Sequence, residues 1–481
     1  MINVKAVSNI LFALLLFLCG AMSIPAALAY YYGGDDFPAF LMTIMVTLVI
    51  AGSGFWTTRD RSELRSKDGF IIVTAGWILF AAIGAMPFVL SGFIPSYTDA
   101  FFETMSGFTT TGATILGDIE TLPHGLLFWR SFTHWLGGMG IILLSLAILP
   151  LLGVGGMQLF KAEVPGISVD KLTPRIKQTA ELLWGVYVLI SVLEILLLKF
   201  AGMDWFDSFC HTFGTMATGG FSTKNASIGH YNSAFIDYII VVFMILAGIN
   251  FTLHYRALRG KPLIYFRDRE MVFFLSVIAL AILLVGLDVW QNTHHTFLKT
   301  LQYTVFQVVS ILTTTGYGTT DYEQWSTSSQ VILFILMFMG GCAGSTGGGM
   351  KIIRSLILLK FGLNEIKRLL HPQAILPVRV GDRAIPREIV TNIAGFFLLY
   401  ITLFIVGIIV MSSLGLDFES SLGSVAASIN NIGPGLGSVG PTDNYAHIPS
   451  TGKWFLAFLM LVGRLEVFTV IVLFTPIFWK K

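Results

Sequence analysis

Apolar runs long enough to cross a bilayer fix the class of this chain before any motif is read. They fall near 7–30, 38–56, 70–94, 125–157, 177–202, 232–256, 270–290, 328–362, 385–415 and 449–478. A helix needs about 20 apolar residues to span a membrane, so the runs predict ten spanning helices. Backbone groups in lipid must find partners within the protein, so the class is all-α integral membrane. Only 12% of the 481 residues are charged and 54% are hydrophobic, whereas a soluble chain carries about 25% charged residues. The first run ends in "AALA" at 26–29, which resembles a signal-peptidase site. Val7 to Tyr30 is nonetheless long enough to be retained as a helix.

Lysine and arginine orient the bundle. Four lie in loop 57–69, and Lys161, Lys171, Arg175 and Lys177 lie in 158–177. Arg256, Arg259, Lys261, Arg267 and Arg269 lie in 256–269. The connection 351–387 carries Lys351, Arg354, Lys360, Lys367, Arg368, Arg379, Arg383 and Arg387. With Lys5, Lys480 and Lys481 these make 24 of the 30 basic residues. Ten spans place all of them on one side with both termini, and the positive-inside rule makes that side cytoplasmic. A net charge of +2 gives no general attraction to nucleic acid. Cys19, Cys210 and Cys342 sit far apart in apolar surroundings, which predicts buried thiols without disulfide or zinc. The adjacent pair His294–His295 reads as a solvated loop.

Four shorter segments remain, near 97–111, 204–218, 300–315 and 417–432. Each is too short to cross, so each predicts a re-entrant helix opening to the outside. Each ends in a turn: "TTTGAT" at 109–114, "MATGGF" at 216–221, "TTTGYG" at 313–318 and "NNIGPG" at 430–435. Alignment on Gly112, Gly219, Gly316 and Gly433 gives intervals of 107, 97 and 117 residues. Ten residues earlier stand Phe102, Phe209 and Phe306, with Gly423 in the fourth unit. The expected unit is outer helix, pore helix, turn, inner helix, repeated four times around one pore. The predicted divisions are two extra N-terminal helices in 1–69 and repeats at 70–176, 177–269, 270–384 and 385–481.

A single turn of this kind would be a helix cap. Four at one depth point to cation selection. Potassium exchanges its water shell for a ring of carbonyl oxygens. Glycine supplies the positive φ that aiming successive carbonyls at one axis requires. Each pore helix would also aim its negative C-terminal end at the cavity.

A second irregular stretch, "GGCAGSTGGGMK" at 340–351, breaks the run 328–362. It does not satisfy GxxxxGK[ST] and no strand leads into it, so a phosphate loop is set aside. Irregular backbone at membrane depth must be buried in protein or line water. Gly344, Ser345, Thr346, Gly347, Gly348 and Gly349 are therefore the expected gate below the turns. Arg464, inside the last span, needs a cavity or a partner. The loop carbonyls at 344–349 are the expected acceptors, and its charge is expected to raise the barrier to cations. Glu466 is expected to pair elsewhere. Asp118, Glu120, Asp321, Glu323 and Asp443 follow the turns, where they concentrate cations at the mouth or belong to ordinary solvated loops. Asn250 and His254 are candidates to line the lower cavity.

"SGFTTTGATI", "ATGGFSTKNASIG", "TTTGYGTTD", "GGCAGSTGGG", "NNIGPGLG" and "GRLEVFT" together resemble the bacterial TrkH-type potassium-uptake subunits of the TrkH/TrkG, KtrB and plant HKT superfamily. The resemblance covers essentially the whole chain. It implies filter positions at Thr110, Thr111, Gly112 and Ala113, and at Ala217, Thr218, Gly219 and Gly220. The third and fourth sets are Thr314, Thr315, Gly316 and Tyr317, and Asn431, Ile432, Gly433 and Pro434. Glycine rather than serine at 112 implies a preference for potassium, with rubidium as companion ion. The fourth turn lacks threonine, so the ring is imperfectly four-fold. The resemblance also implies the gate at 344–349 with Arg464 beside it, a homodimer and a cytosolic TrkA-type nucleotide-binding ring. No organic cofactor or nucleic acid is implied for this chain. Its bacterial setting is the inner membrane. The alternative function is a proton- or sodium-coupled symporter using the same filter. Coupling needs an ionisable midplane residue, and Glu103 and Arg464 are the candidates. No GxSG, HExxH or aspartate pair within the spans suggests an enzyme.

Overall fold

The structure is a computed structural model that describes residues 2–59, 65–147, 172–293, 296–381 and 383–480. Arg61, Lys161, Lys171, Lys481, the pair His294–His295 and the far end of the run 125–157 lie outside the described residues. Among the described residues the regular structure is helical apart from one hairpin. In it β1 (Arg379–Val380) pairs antiparallel with β2 (Arg383–Ala384), placing Arg379 opposite Ala384.

A helical hairpin of α1 (Val4–Tyr31) and α2 (Phe37–Thr57) opens the chain. Asn3 starts α1 by accepting the Ala6 N–H at 3.1 Å. Next come α3 (Ser66–Gly84), α4 (Met86–Leu90), α5 (Tyr97–Phe108) and α6 (His124–Ala147). They are followed by α7 (Leu172–Phe200), α8 (Trp205–Met216), α9 (Ala234–Gly248), α10 (Phe251–Leu258) and α11 (Ile264–Arg267). The third group is α12 (Arg269–Asn292), α13 (Phe297–Leu312), α14 (Thr327–Met337) and α15 (Ile352–Leu370). The last is α16 (Arg387–Ser413), α17 (Phe418–Asn430), α18 (Ser450–Arg464), α19 (Phe468–Ile471) and α20 (Pro476–Trp479).

Six spans are long and apolar enough to cross unaided: α1, α2, α3 with α4, α7, α12 and α16. The count rises to eight if each bent pair is one span. The ten expected spans are therefore not all complete helices among the described residues. Two runs expected to be uninterrupted are sharply bent, α9 to α10 by 103° and α18 to α19 by 113°. Nothing in their hydropathy marks this. At the first bend Asn250 restarts the helix, its Oδ1 accepting the Thr252 N–H at 2.8 Å. At the second, Glu466 and Val467 both take left-handed backbone, with φ of 59° and 52°. That is costly for a β-branched residue. The Glu466 carboxylate meets Arg354 at 2.5 Å, which anchors the bend. The third break, between α14 and α15, is the glycine-rich stretch itself.

The short helices occupy the centre. Every residue from Ala100 to Phe108 in α5 is buried, and so is every residue from Ser420 to Asn430 in α17 except half-buried Leu422. The long helices turn large apolar side chains outward, as Leu283 at 56% and Ile409 at 63% exposed illustrate. In a chain with these spans such a face is solvated by lipid.

Candidate functional site

Four chain turns meet at the centre of the bundle, one after each of α5, α8, α13 and α17. The same local chemistry stops three of the helices, and Ala217 stands at that place in the second turn. Thr109 donates its hydroxyl back to Met105 O at 2.7 Å, and Thr313 does the same to Val309 O at 2.7 Å. Asn430 replaces threonine in the fourth turn, its amide donating to Ala426 O at 2.8 Å. Hydroxyls 109 and 111 then pair at 2.8 Å, as do 313 and 315. The next residue is left-handed in every turn: Thr110 (φ 53°), Thr218 (54°), Thr314 (62°) and Asn431 (54°). A bulky non-glycine residue rarely adopts this region, so four coincidences mark one built motif.

This backbone register corrects the second turn by one residue. The N–H of Thr111, Gly219, Thr315 and Ile432 each reaches back five residues, to Ser106, Gly214, Ser310 and Ala427. Gly219 is thus the counterpart of Thr111, and Gly220 is the counterpart of Gly112 and Gly316. Gly112, Gly220 and Gly316 have φ of 83°, 79° and 81°. Ala217 falls on the helix cap, like Thr109, and Phe221 takes the place expected for Gly220. Two adjacent glycines made either alignment possible on residue types. The aromatic expected ten residues before the glycine moves likewise. Phe102 and Phe306 are fully buried, but Phe209 is 39% exposed and Cys210 occupies the matching buried place.

The turns close on one another in chain order. A Cβ on Gly112 would overlap the carbonyl oxygen of Gly219, and one on Gly220 that of Thr315. A Cβ on Gly316 would stand 2.9 Å from Gly433 N, and one on Gly433 2.7 Å from Gly112 O. Side chains strap neighbouring turns together. Asn431 Nδ2 donates to Thr111 Oγ1 at 3.0 Å, and the Tyr317 hydroxyl donates to His211 O at 2.8 Å. Tyr322 and Tyr445 donate to Gly435 O and Gly433 O at 2.7 and 3.1 Å. The Tyr317 ring therefore points behind the second turn.

Above the turns opens a cavity of about 150 Å³. Gly112, Ala113, Gly220, Gly316, Gly433 and Pro434 line it, so all four turns contribute. Of the acids expected at this mouth, only Asp443 lines the cavity. Asp118 and Glu120 hold Asn225, at 2.8 and 3.1 Å. Asp321 caps its own loop through the Glu323 N–H at 3.0 Å. Glu323 accepts the Gly437 N–H at 2.7 Å, and burial pushes its carboxyl above the ordinary range despite that bond. These acids build loops. A residue not anticipated, Arg130, does reach the cavity. It pairs with buried Glu103 at 2.6 Å, donates to Ser222 O at 2.8 Å and covers the Phe221 ring at 3.6 Å.

Beneath the turns lies the loop between α14 and α15. The Gly348 N–H donates to Thr314 Oγ1 at 2.7 Å, and Thr346 Oγ1 donates to Met216 O at 2.9 Å. The loop thus touches the third turn and the end of α8. Gly347 O accepts from Lys351 Nζ, and Thr346 O accepts from Arg464 at 2.7 Å. Arg464 also reaches Gly137 O at 3.3 Å. The Ala343 N–H rests on the Glu270 carboxylate at 2.6 Å. Ser345 and Thr346 are buried, and Gly344 O accepts the Phe251 N–H at 3.1 Å. Asn250 and His254 serve the α9–α10 bend, where His254 bridges Leu246 O and the Tyr265 hydroxyl at 2.8 and 2.7 Å.

Comparison with known proteins agrees with this fold. The family model TrkH, described as cation transport protein, matches residues 37–481. The chain belongs to the TrkH family. This TrkH-family chain is 45% identical to the Trk system potassium uptake protein TrkH of Escherichia coli K12, over 99% of each. It is 41% identical to TrkH of Halomonas elongata, over 100% of each. The crystal structure of the potassium transporter TrkH from Vibrio parahaemolyticus superposes with a TM-score of 0.92 at 39% identity, over 100% of both chains. The all-α multi-pass membrane fold of the TrkH family is therefore the fold of this chain.

Proposed function

We propose that this chain is the potassium-translocating subunit of a Trk-type uptake system. The observation that carries the reading is the closed ring of four left-handed turns beneath a common cavity. Its relatives are named potassium uptake proteins over their full length. Thr110–Ala113, Thr218–Phe221, Thr314–Tyr317 and Asn431–Pro434 form the filter, with backbone oxygens replacing the water shell of the ion. The four repeats run over 70–176, 177–269, 270–384 and 385–481, after two N-terminal helices in 1–69. Each contributes one arc.

Permeation is channel-like, gated by the loop Gly344–Gly349, with Arg464 as the fixed positive charge beside it. The hydrogen bond from Arg464 to Thr346 O supports this. A coupled symporter needs a midplane group free to alternate. Glu103 is held by Arg130, Thr114 and the Ile115 N–H, which favours the channel-like mode. Rubidium accompanies potassium. The chain works in the bacterial inner membrane as a homodimer, with both termini and the basic loops on the cytosolic side, where a TrkA-type nucleotide-binding ring docks.

The test is tracer flux into vesicles containing the purified protein. Rubidium uptake driven by an outward potassium gradient, competed by potassium far better than by sodium and unaffected by a pH gradient, is expected. Uptake that requires a proton or sodium gradient would transfer the reading to the symporter.

A further inference from the structure

The four turns close into a ring, so each seam must hold two arcs at a fixed spacing. Three seams are crossed by a tyrosine. Tyr317 of the third turn donates to His211 O at 2.8 Å and to Phe221 O at 3.3 Å, both in the second unit. The Tyr322 hydroxyl crosses from the third unit to Gly435 O of the fourth at 2.7 Å. The Tyr445 N–H crosses from the fourth unit to Thr114 O of the first at 2.8 Å. Between the first and second units, Asn225 links the outer loops through Asp118 and Glu120. At the outer end of the turns themselves, an ion pair crosses that seam.

Glu103 on α5 and Arg130 on α6 are both buried and meet at 2.6 Å. No motif marks them, since they stand in "FFETMSG" and "FWRSFTH". The carboxylate serves the first turn. Its Oε1 accepts the Thr114 hydroxyl at 2.9 Å, and its Oε2 accepts the Ile115 N–H at 2.9 Å. Those two residues follow Ala113 directly. The guanidinium serves the second turn. Its Nη1 donates to Ser222 O at 2.8 Å, and its central carbon lies 3.6 Å from the centre of the Phe221 ring. Arg130, Thr114 and Ser222 all line the cavity above the turns. An arginine holds a carboxylate and a carbonyl at once because its donors form a rigid fork, which a lysine lacks. Each charge compensates the other, and removing one would leave its partner buried and unpaired.

We propose that the Glu103–Arg130 bridge fixes the spacing of the first and second arcs and thereby sets part of the discrimination between potassium and sodium. Where spacing decides the preference, a ring free to contract admits the smaller sodium ion. Both are positioning residues, acting through Thr114, Ile115 and Ser222 rather than on the ion. This role rests on the filter reading above.

Rubidium uptake with sodium competition tests it, on the full-length protein in vesicles and referred to the amount of folded protein. Arg130→Lys keeps the charge but offers one nitrogen to two partners. Its rubidium-over-sodium discrimination should fall about tenfold, the loss of one charge-assisted hydrogen bond. Glu103→Gln should fall by a similar factor, and the double variant by no more than either, because the two act as one bridge. Native discrimination in folded Arg130→Lys overturns the inference. So does uptake of both ions reduced by one common factor, or a double variant in which the two losses multiply. Thr114→Val removes one bond of the bridge and leaves the charges paired. If the charge variants do not fold, a fall of about threefold in Thr114→Val supports the bridge, and native discrimination there overturns it. A native protein that takes up rubidium with no preference over sodium would instead strike the filter reading, and this inference with it.

Discussion

The two glycines of the second turn look interchangeable in the sequence, yet they meet different obstacles. A side chain at Gly220 would enter the backbone of the third turn and would also be held at φ 79°. A side chain at Gly219 would meet the imidazole of His134, between 2.5 and 2.7 Å away. Backbone in a closed ring cannot retreat, whereas an imidazole can be removed. Both Gly219→Ala and Gly220→Ala should therefore lose most rubidium flux. Adding His134→Ala should restore part of it to Gly219→Ala and none to Gly220→Ala. Equal rescue of both would refute the corrected register. Turns one and three were legible because three successive threonines leave a single alignment. The second was not, because Ala-Thr-Gly-Gly admits two.

At the scale of elements, the pore helices could be read from length and polar termini, but the bent inner helices could not. The runs that contain "AGIN" and "GRLEV" keep the hydropathy of a span. The bends are made by an asparagine cap and by an ion pair to a residue 112 positions away. The glycine-rich break was legible because six glycines in 340–351 cannot persist as a helix in lipid. Its contacts say how the proposed gate is held. Thr346 spends its carbonyl on Arg464 and its hydroxyl on Met216 O. Arg464→Ala frees one attachment and removes a buried positive charge from the pathway. Cation flux should rise several-fold, since about 1.4 kcal/mol off a barrier gives tenfold. Thr346→Val, which cuts only the hydroxyl attachment, should move flux the same way by less. Lower flux in well-folded Arg464→Ala would rule out its role as a barrier.

For the whole molecule, the basic loops predict one cytosolic face, and the structure gathers several of them. Lys67 donates to Phe478 O at 2.8 Å, and the Asn3 N–H reaches Asp68 at 3.0 Å. Asn3, Lys67, Asp68 and Phe478 therefore share one end of the bundle. Residue 269 packs beside Gly381 in the β-hairpin connection. The cavity above the four turns belongs to the opposite set of loops, which include Thr442, Asp443 and Asn444. The three native cysteines are all buried, so the chain supplies a quiet background for thiol labelling. Thr442→Cys and Gln373→Cys place reporters at two exposed positions, one beside the cavity and one in the basic connection. A membrane-impermeant maleimide added to intact spheroplasts should label Thr442→Cys at once and Gln373→Cys only after the membrane is opened. The reverse pattern would turn the filter toward the cytosol and remove the positive-inside argument from which the direction of uptake was drawn.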